Sequence, residues 1–346
     1  MRRVPMKSGV EFFLLFLVLI LFFLFDLLSG SVHISMAQSF TSFFHPTSAD
    51  PQITSIIHQF RIPKAITAVM AGAALSVAGL QMQTVFRNPI AGPDILGISS
   101  GASLGVALFV LSAGWIFKGA MLFSTMGSWG IVMAAWLGAG CMMLLVVLIA
   151  SRLRDLMTVL ILGILISSAI LSVVSVLQYF SSESSLKSFI VWTMGSLGST
   201  TSDQLMVLVP SVLAGLILAF LSAKFLDAFL LGENYAKSMG MNIRLAYLLV
   251  FASTSILAGS ITAFCGPIGF IGIIVPHLAR KFFRSPLHVR LIPATMMLGA
   301  VVMLAGDLIS QLPGYEISLP INSVAALLGI PIVIWIIFRS KKIGAL

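Results

Sequence analysis

The sequence predicts an all-α polytopic membrane protein of about ten transmembrane helices with both termini cytoplasmic, on three observations. First, of 346 residues 59% are apolar and 9% charged, whereas a soluble domain carries about 25% charged residues. A water-soluble enzyme is excluded, and the apolar residues suffice for about ten spans of about 20 residues each. Second, the apolar residues come in unbroken runs such as Phe12 to Phe25, not in the short alternating segments of a transmembrane barrel. Third, with ten crossings the 20 Lys and Arg residues divide unequally between the two sides. Arg2, Arg3, Lys7, Arg87, Arg152, Arg154, Lys224, Lys237, Arg244, Arg280, Lys281, Arg284, Arg290, Arg339, Lys341 and Lys342 fall on the side of the N-terminus. Arg61, Lys64, Lys118 and Lys187 fall opposite. The side richer in Lys and Arg is cytoplasmic. The net charge of +9 therefore reports topology, and nucleic acid is not an expected partner.

Hydropathy places the spans near 11–29, 63–86, 93–113, 125–150, 156–180, 203–223, 243–264, 267–284, 288–311 and 321–338. The first follows Arg2, Arg3 and Lys7 as a signal peptide would, but its apolar run exceeds a signal core and favours a retained helix. The polar stretch from Gly30 to Ile62 then reads as a short amphipathic outer segment. Its His33, His45 and His58 have no compact metal spacing. The second span is entered through Arg61-Ile62-Pro63-Lys64. The third opens after Gly92-Pro93-Asp94, and its Gly97, Gly101 and Gly105 recur every four residues, giving one flat face for close helix packing. On the fifth, Ser168, Ser172, Ser175 and Gln178 align on one face. They read either as back-bonded packing residues or as an uncharged wall along a pathway. Between the sixth and seventh spans, 224–242 mixes charged and apolar residues broken by Gly232 and Gly240, reading as short helices outside the bilayer. Leu231, Ala236 and Met239 are expected to leave apolar surface there for a partner. The seventh span ends at the helix-breaking Gly266-Pro267-Ile268-Gly269-Phe270-Ile271-Gly272, and Pro276-His277-Leu278-Ala279-Arg280 precedes a basic inner cluster. Asp26 and Asp307 fall inside apolar spans toward their outer ends, Asp307 reading as a local structural partner.

Several chemistries are absent or weak. No Gly-Lys dipeptide occurs, so no P-loop can form, and no His-Glu-x-x-His is present. Gly97-Ile98-Ser99-Ser100-Gly101 matches the Gly-x-Ser-x-Gly nucleophile pattern, but that pattern needs a strand-to-helix elbow and a base, and here it opens an apolar helix. Cys141 and Cys265 sit in apolar runs as packing residues, and His277 without a partner carboxylate reads as structural. Few charges lie at mid-span, which argues against ion coupling. A secondary transporter remains the competing class.

Taken together, Arg61-Ile62-Pro63-Lys64, Asn88-Pro89 with Gly92-Pro93-Asp94-Ile95-Leu96-Gly97, Leu231-Gly232-Glu233 with Ala236 and Gly240, Gly266 to Gly272 and Pro276 to Arg280 resemble the FecCD-type permeases. These are membrane subunits of ABC importers for iron-siderophores, haem and cobalamin. The resemblance implies one permease domain over 1–346 and a likeness running from about residue 10 to 340. It also implies a second permease copy, two cytoplasmic ATPase subunits that carry ATP and Mg, and an outer substrate-binding protein. No cofactor or metal is implied on this chain itself. By the same resemblance Leu231, Gly232, Glu233, Ala236 and Gly240 form the ATPase-coupling element. Ser168, Ser172, Ser175 and Gln178 line the pathway, and Arg61 and Lys64 dock the binding protein through its glutamates. Lys64 lacks the bidentate fork of the arginine common there, and Gln311 stands where a further outer basic residue is sometimes found.

Overall fold

The computed structural model describes residues 8–30, 32, 34–35, 38, 41–42, 50–111, 120–152, 156–311 and 318–343. Arg2, Arg3, Lys7, Lys118, Arg154, His33 and His45 lie outside the described residues. Every regular element among the described residues is helical. The chain runs through α1 (Ser8–Leu28), a lead-in of Pro51–Ser55 and a wide π turn Ile56–Arg61, then α2 (Ile62–Val85). A 3₁₀ turn at Pro93–Leu96 precedes α3 (Ile98–Val110), followed by α4 (Ala120–Arg152), α5 (Leu156–Phe180) and α6 (Glu183–Thr193). Next come α7 (Ser202–Leu231), α8 (Glu233–Ser238), α9 (Ile243–Cys265), α10 (Ile271–Phe283), α11 (His288–Ser310) and α12 (Ile321–Ile343). Seven helical stretches among the described residues are long and apolar enough to cross a bilayer.

The core is organised around α2, which packs against α7, α9, α10 and α11. Its best apolar window is 83% buried, against 11% for α1 and 22% for α5. Sequence explains this directly. The run Ala71-Gly72-Ala73-Ala74 continuing to Ala78-Gly79 has almost no side-chain bulk, so neighbouring backbones approach closely. A methyl group on Gly72 would run into the Gly299 carbonyl of α11, and one on Gly79 into the Gly272 carbonyl of α10. Gly101 and Gly105 of α3 do the same against the Gly138 and Ala134 carbonyls of α4, the close approach that their spacing predicts. Gly97 does both, since a methyl group there would run into Met142 of α4 and Ser167 of α5, and with φ of 78° it caps the 3₁₀ turn and starts α3.

Three boundaries differ from expectation for physical reasons. The sixth span does not stop at 223, since nothing breaks a helix before Gly232 and α7 runs on to Leu231. Only 232–242 is therefore a true connection, with α8 inside it. The eighth begins late, at Ile271, because Gly266 (φ 76°) and Phe270 (φ 68°) hold left-handed backbone. The third is split, its first turn being 3₁₀. In both spans the irregular backbone packs against protein, Gly266 lying beside the Trp192 carbonyl and Gly195, and Gly92 beside Ile273, as irregular segments at membrane depth must.

Candidate functional site

At the N-terminal end of α2 the two cations expected to dock a partner have different surroundings. Arg61 is only 6% exposed. Its Nη1 donates to the Leu27 and Leu28 carbonyls, both at 2.9 Å, and its Nη2 to the Val32 carbonyl at 2.6 Å. The guanidinium thus caps the C-terminus of α1, whose last carbonyls have no helical donor. The expected outward presentation of Arg61 is corrected: the π turn rolls this side chain under α1. Lys64 keeps partial exposure and pairs with Asp307 of α11 at 2.7 Å. Gln311 joins the same cluster, its Nε2 donating to Asp26 Oδ1 at 3.0 Å and to Asp307 Oδ2 at 2.7 Å. Lys64, Asp307 and Gln311 face a cavity of about 330 Å³ closed by Met194 to Gly198 and Ser318 to Ile321. The amide at position 311 is thus the clamp for two carboxylates, a role that needs its donor and no charge. Asp307 has the local structural role that its position suggests.

On α5 the serine stripe lies on an exposed face. Ser168, Ser172 and Ser175 donate to the carbonyls of Ile164, Ser168 and Leu171, each at 3.0 Å. This is the back-bonding of a hydroxyl to residue i−4, so the three serines have no free donor and present only acceptor oxygens. Gln178 is half-buried near the helix end. Leu171, Val173, Val176, Tyr179 and Phe180 are exposed around it, leaving α5 the most openly apolar of the long internal helices.

The C-terminal end of α7 carries the third feature. Gly232 has φ of 121°, a conformation that side chains rarely adopt, and turns the chain into α8; Gly240, with φ of 80°, ends it. Arg87 holds the corner, its Nε and Nη2 donating to the Phe229 carbonyl at 3.2 and 2.7 Å. Glu233 is bound on both oxygens, by Lys237 at 2.7 Å and by the Tyr247 hydroxyl of α9 at 3.1 Å. Ala236 is fully buried, which corrects its expected place on the outer apolar surface: it is the face by which α8 seats on the body. Leu231 (66% exposed) and Met239 (64%) do project outward, and Tyr235 joins them. The result is a small apolar knob on a helix whose root is pinned by Arg87 and Glu233.

Polar contacts that pattern alone does not reveal tie this end of α7 to the core. Gln83 donates to the Ile273 carbonyl at 2.9 Å and accepts from Arg280 at 2.7 Å. His277 meets the Pro89 carbonyl at 2.7 Å, the structural role that its isolation suggests. His288 bridges Thr84 at 2.9 Å and Asp227 at 2.7 Å. Deeper, Gln81 joins Ser222, Ser253 and Thr254 across three helices. The only early sign of these contacts is a glutamine at positions 81 and 83 of an otherwise apolar span. Ser99, the would-be nucleophile, donates to Asp94 Oδ1 in the turn before α3. Among the described residues no three His, Cys, Asp or Glu side chains gather as a metal cradle.

A glycine-packed helical body with long apolar helices defines a polytopic membrane protein. The chain belongs to the FecCD transport family, whose profile matches residues 17–339. It is 33% identical over 342 residues to the hemin transport system permease protein HmuU of Yersinia pestis, covering 98% of each chain. It is 32% identical over 288 residues to the vitamin B12 import system permease protein BtuC of Klebsiella pneumoniae, covering 83% of this chain and 84% of that one. A solved structure of a metal-chelate type ABC transporter in an inward-facing conformation superposes with a TM-score of 0.80 at 29% identity, over 95% of this chain and 98% of that chain. Permeases of this family are transport components whose ATPase activity lies in a partner subunit.

Proposed function

We propose that the chain is the permease of an ABC importer that carries a ferric chelate, a siderophore complex or haem, from an outer binding protein into the cytoplasm. It works as a homodimer in a bacterial inner membrane, with ten crossings, both termini cytoplasmic and two ATPase subunits beneath. A corrinoid is the alternative cargo, favoured by the likeness to a vitamin B12 permease. The observation that carries the reading is α8: a short helix flanked by the exposed Leu231 and Met239, with Tyr235 outward, Ala236 seated on the body and its base fastened to α7 and α9, can pass a push from a cytoplasmic partner into the helices of the core. The α5 face is then the wall past which the cargo moves. Of the two outer cations, Lys64 at the mouth of its cavity is the docking contact, and Arg61 supports it from within.

The test is reconstitution in proteoliposomes with the partner ATPase and binding protein. Uptake of a ferric chelate should require ATP and all three components. Accumulation by this chain alone on an ion gradient would overturn the reading. Corrinoid uptake with no ferric-chelate uptake would replace the cargo and leave the class standing.

A further inference from the structure

We propose that the pocket of about 290 Å³ lined by Gln83, Thr84, Arg87, Pro89, Leu230 and Arg280 is a binding site for a phosphate-type anion. The pocket lies where α2, α7 and α10 meet beside the root of α8. Its place on the cytoplasmic side follows from the charge distribution; the site itself follows from geometry and does not depend on the transport reading.

The argument begins with charge. Two guanidinium groups line one small cavity, and no carboxylate lines it with them. Among the described residues, neither Arg87 nor Arg280 has an acidic side chain within ion-pair distance. The carboxylates on the flanking helices are occupied elsewhere: Asp227 with His288, and Glu233 with Lys237 and Tyr247. Arg280 is half-buried without a counterion, which is costly, and the exposed Arg87 brings a second guanidinium to the same cavity, so the cavity favours negative charge.

Geometry then says which donors remain. Gln83 is held by its own amide nitrogen on the Ile273 carbonyl, which turns its oxygen toward Arg280. Arg280 is therefore aimed by a neutral side chain that satisfies one of its five N–H groups; no other acceptor among the described residues takes the rest. Arg87, lining the same cavity, spends Nε and Nη2 on the Phe229 carbonyl, leaving its Nη1 edge. Two planar forks around one cavity suit an oxyanion with several acceptor oxygens. Basic pockets between helices at the cytoplasmic face bind phospholipid headgroups by this chemistry. A lipid phosphate and free inorganic phosphate offer the same group. Because Arg87 also fastens the corner at Gly232, an anion here would brace α8 against α10.

The experiment uses the full chain in lipid nanodiscs. Thermal unfolding is followed against inorganic phosphate at constant ionic strength in phosphatidylcholine discs, and against increasing phosphatidylglycerol without phosphate. The midpoint should rise saturably in one arm. A rise with phosphate assigns the site to the free anion; a rise with phosphatidylglycerol alone assigns it to a lipid headgroup. Arg87→Gln, at the rim, should weaken the apparent affinity on the order of tenfold to a hundredfold. Arg280→Gln should do the same, with Arg280→Lys closer to the parent; if Arg280→Gln does not fold, Arg87→Gln and the parent titration decide. No saturable rise in either arm, or equal affinity in the parent and Arg87→Gln, overturns the proposal. So does a rise seen only on adding the ATPase subunit, which would make the arginines an interface for its carboxylates. None of these outcomes touches ATP-driven uptake, so the two readings fail separately.

Discussion

Arg61 and Lys64 stand three residues apart with equal formal charge, and their environments give them opposite work. Arg61 makes charge-assisted bonds to three carbonyls near the end of α1. Its loss leaves those groups unmatched, so Arg61→Ala should destabilise the protein by roughly 3 kcal/mol, read as a lower unfolding midpoint in detergent. Lys64→Glu should instead weaken binding-protein docking in a salt-dependent manner, measured as affinity against ionic strength; salt-independent affinity equal to the parent would remove Lys64 from the interface. Lys64→Ala also strips Asp307 of its partner, costing about 2 kcal/mol. Adding Asp307→Asn should restore most of that, because the buried charge goes with it. At α8, Glu233→Ala releases both Lys237 and Tyr247. It should leave the protein inserted while ATP hydrolysis no longer drives uptake; a parental ratio of uptake to hydrolysis would refute the coupling role.

Helices were legible in proportion to how much their apolar pattern acts alone. The flat glycine face of α3 is a spacing argument, and it holds because Gly101 and Gly105 meet backbone carbonyls across the crossing. Gly72 and Gly79 obey the same rule within the core. Gly79→Ala should cost about 3 kcal/mol, seen as loss of monodisperse protein on size-exclusion chromatography, whereas Gly140→Ala on α4, with open space around it, should be silent. The end of α7 was less legible, because a charged residue such as Lys224 suggests a surface loop although the helix continues. Nor does a pattern say that a π turn will carry Arg61 inward. On α5 the periodicity was plain, but the stripe has two meanings that share one spacing. Cysteine accessibility separates them: with the exposed Cys141 replaced by Ser and Cys265 buried, Ser172→Cys should react with a water-soluble thiol reagent if that face borders a wet pathway. Protection in the assembled transporter would make it a packing surface.

At the scale of the molecule, composition makes the class legible because it sums over many residues and tolerates local error. The linked polar groups were hidden for the opposite reason. Gln311 with Asp26, Arg280 with Gln83, and His288 with Asp227 pair residues far apart in the chain, and one sequence carries no mark of which distant positions meet. The same distance explains why the expected docking pair divides: only the fold shows that the end of α1 lies over Arg61.

The two short helices α3 and α10 carry a consequence for how the chain is made. Each has 13 residues, about 20 Å of helix, against a hydrocarbon core of about 30 Å. Neither can be handed to lipid singly as a finished crossing, since the unwound backbone ahead of it needs protein around it. α10 must therefore wait beside its neighbours until Gly79 and Leu75 of α2 receive Gly272. Biogenesis then becomes a docking reaction between early and late segments, and Gly79→Ala, which blocks that seat, should leave 266–283 accessible to protease.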